Sequence, residues 1–168
     1  FLDYYNSYST ACIRQATNLM YGTGETGNSL EDLMNTNLII LWGHNPAETK
    51  FDSGTMYYLK KAVEKGIPVV GVDPRKNDTI RQLGAEWIPV RPATDSAMMD
   101  AMAYVIMEEG LQDQEFLDRC CIGFDALHMP EGIDPSESYL SYLYGEKDGI
   151  RKTPEWAEQI TGVSAEVI

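Results

Sequence analysis

Three short stretches place polar side chains directly after an apolar run: Gly43-His44-Asn45-Pro46, Asp73-Pro74-Arg75 and Arg91-Pro92-Ala93-Thr94-Asp95. Each is followed by the start of a helix-like pattern. This combination suits a nucleotide. Turn amides and helix N-termini donate to phosphate oxygens, while carboxylates accept from guanine N1–H and N2–H2 or from ribose hydroxyls. Asp73 and Asp95 are the carboxylates at these positions. Arg75 offers a guanidinium fork for a phosphate, or is an ordinary exposed arginine after a turn that Pro74 fixes. Asn45, Glu48 and Thr49 suit either the nucleotide or a helix cap, and Asp95, with Thr94 beside it, carries the same two readings.

Other reactive residues are less well placed. Gly22-Thr23-Gly24-Glu25-Thr26-Gly27 has the glycine spacing of a dinucleotide loop, but that spacing has meaning only between a strand and a helix. Residues 13–20 before it look helical, and no acidic strand end follows about 20 residues on. The expectation is a flexible loop. Tyr8-Ser9-Thr10-Ala11-Cys12 gathers hydroxyls and a thiol beside aromatics, with no His or Asp partner and no nucleophile-elbow pattern. Cys12, Cys120 and Cys121 lack metal-ligand spacing and an even count, and three cysteines cannot supply the four thiolates of an all-cysteine iron–sulfur cluster. Cys120 and Cys121 are expected to pack in the core of an apolar-rich helix.

The elements that position the three loops follow from periodicity. A short helix with a Ser cap is expected over 29–35, a buried strand over 37–42, and a helix over 53–65 with Met56, Leu59 and Val63 inward and Gly66 ending it. A second strand is expected over 67–72, a short helix over 78–83 and a third strand over 86–90. A long helix from Thr94-Asp95 to Gly110 and another from Asp113 to about Cys121 follow. Residues 124–148, rich in Pro, Gly, Tyr and Ser, read as an extended covering segment before a last helix over 154–160. Strands alternating with helices imply an α/β fold, a Rossmann-like parallel sheet flanked by helices, with ligands beyond the carboxyl ends of the strands.

At 168 residues the chain fits one domain region. Its divisions are residues 1–28, the α/β core 29–123, and a covering segment with terminal helix, 124–168. Hydrophobic residues at 43% and charged residues at 23% give the balance of a soluble globular protein. The longest apolar runs are too short to span a bilayer. A net charge of −13 with no basic stripe argues against nucleic acid as a partner. The start at Phe1-Leu2-Asp3 has no targeting signal and reads like a cut inside a longer protein.

Taken together, Tyr8-Ser9-Thr10-Ala11, residues 43–49, Asp73-Pro74-Arg75, residues 87–95 and Thr153-Pro154-Glu155-Trp156-Ala157 resemble the molybdopterin oxidoreductase superfamily. The resemblance runs through nearly the whole chain and is closest to the anaerobic dimethyl sulfoxide reductase branch. It implies a bis(molybdopterin guanine dinucleotide) molybdenum cofactor with a serine ligand, at Ser9 here, and Cys12 as a rival. A hard alkoxide suits oxygen-atom transfer. Tyr8 becomes a candidate donor to the bound oxygen. Gly43, Asn45, Glu48 and Thr49 would line the guanosine end of one pterin dinucleotide, with Asp73, Arg75, Thr94 and Asp95 completing the pocket. The family pattern has Gly where this chain has Ala93.

The resemblance further implies reduction of an S-oxide or N-oxide, the metal and its dithiolenes performing the chemistry while the protein orients and tunes them. A [4Fe-4S] segment is expected before Phe1 rather than in this chain. An iron–sulfur electron-transfer subunit and a membrane-anchor subunit are the expected partners, in a prokaryotic cell envelope, and this piece alone is expected to be inactive. Two alternatives remain: a non-catalytic scaffold relative, and a generic Rossmann-like module binding NAD or another nucleotide.

Overall fold

The computed structural model describes residues 8–24, 26–49 and 54–168, with the side chain of Ser9 outside that description. The chain divides into two compact units, residues 1–39 with 50–68, and residues 40–49 with 69–168.

In the first unit, α1 (Tyr8–Tyr21) precedes the glycine-rich stretch, so that stretch follows a helix and not a strand. Tyr8, Leu19 and Met20 on this helix are exposed. A 3-10 turn at Leu30–Asn35 occupies the expected short helix, although Ser29 makes no side-chain cap. It is fastened to α2 (Thr55–Glu64) by the Tyr58 hydroxyl, which donates to Glu31 at 2.7 Å, and by Lys65 Nζ, which donates to Met34 O at 2.6 Å. The buried stripe of α2 is Thr55, Leu59 and Ala62. The expected stripe through Met56 and Val63 is out of phase by one position, and Val63 is exposed. The i, i+4, i+7 spacing puts Thr55, Leu59 and Ala62 on one line, leaving Val63 at its margin.

The second unit carries a parallel sheet in the order β1 (Ile39–Trp42), β2 (Val69–Val72), β3 (Glu86–Ile88). Val70, Gly71 and Val72 pair with Glu86, Trp87 and Ile88. All three strands are shorter than their apolar runs because the flanking residues turn into loops. Short helix α3 (Asp78–Leu83) occupies the expected residues, capped by Asn77, whose side chain accepts from Ile80 N, and closed by Gly84 at φ 61°. Ile80 sits so close to β2 that a Cβ on Gly71 would lie 2.4 Å from its Cγ1. Helix α4 (Asp95–Glu108) buries Ala97, Met98, Ala101 and Tyr104. Val72, Val90, Met98 and Val163 form a buried cluster, joined by Trp42, Val70, Ile88 and Met102.

Two expectations for the C-terminal half are corrected. Helix α5 (Gln114–Cys120), capped by Asp113, buries no residue. Cys120 is exposed and Cys121 half-buried, so neither is a core residue: that helix is covered at most partly, with Leu117 half-buried. The segment 124–148 is not simply extended, since it holds a 3-10 turn at Pro135–Glu137 and helix α6 (Tyr139–Leu143). Ser138 caps α6 by accepting from Ser141 N, a local signal masked by the turn-rich composition around it. Tyr139 and Tyr142 hydroxyls both donate to Asp100 of α4, at 2.8 and 3.1 Å, fixing α6 against the long helix. Burial, reinforced by Asp100, pushes the Tyr139 hydroxyl pKa up, which keeps it a neutral donor. Helix α7 (Pro154–Thr161) is capped by Thr153 and also packs on α4.

The loop between α5 and α6 is closed by Asp125. Its Oδ1 accepts from Leu127 N, His128 N and His128 Nδ1, at 2.9, 3.0 and 2.8 Å. Burial pushes the Asp125 carboxyl up, but these donors outweigh it and hold the group below its ordinary value.

Two outcomes follow for the scaffold. Gly71→Ala lowers stability by about 1–3 kcal/mol, read from the urea midpoint, because Ile80 has no exposed space to move into. A carboxyl whose folded pKa is depressed contributes stability that is present above its unfolded value of about 3.9 and is lost as pH falls through the lower folded value. The destabilisation caused by Asp125→Asn at pH 6 therefore shrinks at pH 3; an unchanged gap between the two urea midpoints contradicts the loop's charge dependence.

Candidate functional site

Because the strands are parallel, the loops after β1, β2 and β3 leave the sheet on the same edge. The first loop begins at Gly43, whose φ of 59° is one that a glycine adopts without strain. Its N–H donates to Val72 O at 2.9 Å, so the ladder continues one residue past the strand. Pro46 is buried, and Glu48 and Thr49 N–H groups both return to Asn45 O, giving a tight turn. The Asn45 side chain is committed to the first turn of α3 instead of to the helix after β1. Its Oδ1 accepts from Thr79 Oγ1 at 2.8 Å and from Thr79 N at 3.3 Å, while Thr79 Oγ1 accepts from Ala47 N at 2.9 Å. Thr79 is fully buried in α3, so one hydroxyl locks the first loop to the helix that follows the second.

The second loop is organised around Asp73. Its Oδ1 accepts from Arg75 N and its Oδ2 from Asn77 Nδ2, both at 2.9 Å. Its carbonyl accepts from Trp87 Nε1 at 2.8 Å. The carboxylate thus shapes its own turn, an Asx-type geometry. Arg75 reaches Glu48 at 2.9 Å across the two loops, with side chains 68% and 43% exposed. A pair so open contributes under about 1 kcal/mol. Both remain accessible to a ligand.

Third comes the loop after β3. Arg91 turns away from the edge: its N–H donates to Thr161 O, and its Nη1 donates to Gln159 O and Ile160 O, satisfying carbonyls at the end of α7. Thr94 Oγ1 donates to Arg91 O at 2.7 Å. Ala93 has a φ of 62°, the one non-glycine residue with a positive φ among those described. The glycine of the family pattern is what that backbone shape asks for. Asp95, the first residue of α4, is not a cap: Oδ1 accepts from Trp42 Nε1 at 2.8 Å, across 53 residues of sequence.

The structure therefore brings Gly43, Asn45, Glu48, Thr49, Asp73, Arg75, Thr94 and Asp95 to one sheet edge. It adds Trp42, Asn77 and Thr79, which the sequence reading missed. Asn77 and Thr79 bracket a helix start just after Asp73-Pro74-Arg75, a pattern that marks them; Trp42 gave no signal beyond ending a strand. Tyr8 and Cys12 are exposed on α1 in the first unit, and the side chain of Ser9, the expected metal ligand, lies outside the described residues. Away from this edge, Asp118, Asp125 and His128 place ligand atoms within 4.8 Å of one another, but Asp125 is committed to closing its loop.

A family model described as molybdopterin oxidoreductase matches residues 1–167. The chain belongs to the molybdopterin oxidoreductase family. Among its relatives, dimethyl sulfoxide reductase DmsA of Escherichia coli (strain K12) is 43% identical over 171 residues, which cover 100% of this chain and 21% of that protein. Trimethylamine-N-oxide reductase of Haemophilus influenzae (strain ATCC 51907 / DSM 11121 / KW20 / Rd) is 33% identical over 178 residues, covering 100% and 20%. The chain spans about a fifth of the length of the curated relatives it matches. Acetylene hydratase from Pelobacter acetylenicus shares the fold, with a TM-score of 0.63 at 24% identity over 94% of this chain and 18% of that one. Membership implies a molybdenum–pterin cofactor. Among the described residues no helix is long and apolar enough to cross a membrane.

Relieving the one non-glycine left-handed residue has a defined effect. Ala93→Gly raises stability by about 0.5–1 kcal/mol, the lost steric strain slightly exceeding the added chain entropy. Ala93→Val lowers it, and thermal unfolding of the two variants reads the difference in sign.

Proposed function

We propose that this chain binds the guanosine end of a molybdopterin guanine dinucleotide at the carboxyl edge of its sheet. The protein it serves would be an anaerobic reductase that removes an oxygen atom from an S-oxide or N-oxide. The observation that carries the reading is the convergence of eight residues of the family pattern on one edge, braced by the Thr79 and Trp42 hydrogen bonds. The donor set fits the nucleotide. Asp95 supplies a fixed carboxylate for the base, Arg75 and Glu48 supply exposed polar groups for ribose or phosphate, and Gly43 allows the backbone to approach closely.

When bound, the molybdenum–pterin group supplies the two-electron oxygen-atom chemistry. The chain's own residues bind and orient it. Ser9 is assigned as the metal's protein ligand and Tyr8 as a hydroxyl donor near the substrate oxygen, both by likeness to the family pattern. A sulfoxide-reducing role is supported by relatives named as dimethyl sulfoxide and trimethylamine-N-oxide reductases. A [4Fe-4S] cluster outside this chain, an iron–sulfur electron-transfer subunit, a membrane-anchor subunit and a place in the prokaryotic cell envelope belong to the same proposal.

The nucleotide reading is tested by equilibrium binding of GMP and NAD to the chain and to Asp95→Asn. The expected result is GMP binding that NAD fails to displace and that weakens by about tenfold or more in the variant, since a hydrogen bond to a charged acceptor is worth about 1.5–3 kcal/mol. Displacement by NAD, or an unchanged variant, would overturn the assignment.

A further inference from the structure

Three carboxylates stand at the sheet edge, and their hydrogen bonds distinguish them. Asp73 has both oxygens engaged in its own turn. Glu48 is an exposed side chain in an open ion pair with Arg75. Asp95 is held on one oxygen by a part-buried neutral donor, Trp42 Nε1, while its Oδ2 accepts no hydrogen bond from any described residue. The indole that holds it is anchored: Trp42 ends β1 and packs against the buried cluster of Val72, Val90, Met98 and Val163. An indole N–H only donates, and a carboxylate has about four acceptor positions, so the bond fixes the plane of the Asp95 carboxylate and leaves acceptor capacity on both oxygens.

We infer that Trp42 is a positioning residue whose indole N–H fixes the Asp95 carboxylate so that it distinguishes guanine from purines lacking the 2-amino group. The inference rests on the nucleotide reading above and adds the base-selecting device to it. Guanine presents N1–H and N2–H2 side by side, matched by the two oxygens of a carboxylate held in one plane. Hypoxanthine presents N1–H alone. A carboxylate free to rotate about its side-chain bonds keeps the first contact easily and the paired contact poorly, because the second demands a single orientation. The planarity that Trp42 imposes therefore acts on the 2-amino contact more than on overall binding. Trp42 touches no part of the base in this scheme; it acts through Asp95.

The test compares GMP with IMP by calorimetry on the wild-type chain, Trp42→Phe, Asp95→Asn and the double variant, with thermal unfolding recorded for each. Phenylalanine keeps an aromatic body in the cluster and removes the donor. The expected result is a GMP preference in the wild type that falls about three- to tenfold in Trp42→Phe, the span of one ordinary hydrogen bond. IMP affinity changes little, and Trp42→Phe has no further effect on the preference in the Asp95→Asn background. Equal losses for GMP and IMP would reduce Trp42 to a packing residue and overturn the inference, as would a preference unchanged in Trp42→Phe. Both outcomes leave the nucleotide reading intact. A wild-type chain that binds neither nucleotide overturns that reading and the inference with it.

Discussion

The buried hydroxyl of Thr79 carries a larger share of this architecture than its size suggests. It donates to Asn45 Oδ1 and accepts from Ala47 N, so the loop after β1 has its polar groups satisfied by the helix that follows β2. Thr79 is fully buried and its partners half-buried, where an unmet donor or acceptor is costly, and the bonds therefore hold the two loops in one arrangement. The same helix presses Ile80 onto Gly71 of β2, so the brace is fixed to the sheet by contact as well as by hydrogen bonding. A change in the position of α3 moves the first loop and the second together.

On that brace the rest of the edge is assembled from side chains that serve the protein first. Asp73 shapes its turn and Asp95 takes the Trp42 indole. Such groups cost little to present to a ligand because their rotamers are already settled. The exposed pair of Glu48 and Arg75 is the contrast: loosely held, open to solvent and screened by salt. Rigid acceptors beside adaptable charges suit a ligand with a flat base at one end and phosphates at the other.

Much of this arrangement could be read from the amino-acid order. Helix α3 occupies the residues expected of it, and the three strand-end loops lie directly after the apolar runs that mark the strands. What escaped had no local signature. Whether Asp95 caps a helix or meets a distant indole depends on a partner 53 residues away. The adjacent cysteines are apolar in type, yet α5 buries none of its residues fully. Helix α6 was hidden within a Pro- and Gly-rich stretch, although Ser138 is a sound cap and Asp100 supplies the distant acceptor for its tyrosines. Family membership follows from the match across residues 1–167, which adds information no single motif carried.

The bond from Arg91 to the carbonyl of Gln159 spans 68 residues of chain. During synthesis the third loop cannot take its final form until the last helix has left the ribosome, because the carbonyls that Arg91 satisfies do not yet exist. The third strand-end loop is consequently completed late, after the sheet that carries it and only once α7 has docked. The order in which these loops settle is thus imposed by chain topology, since a residue earlier in the chain waits for carbonyls made much later.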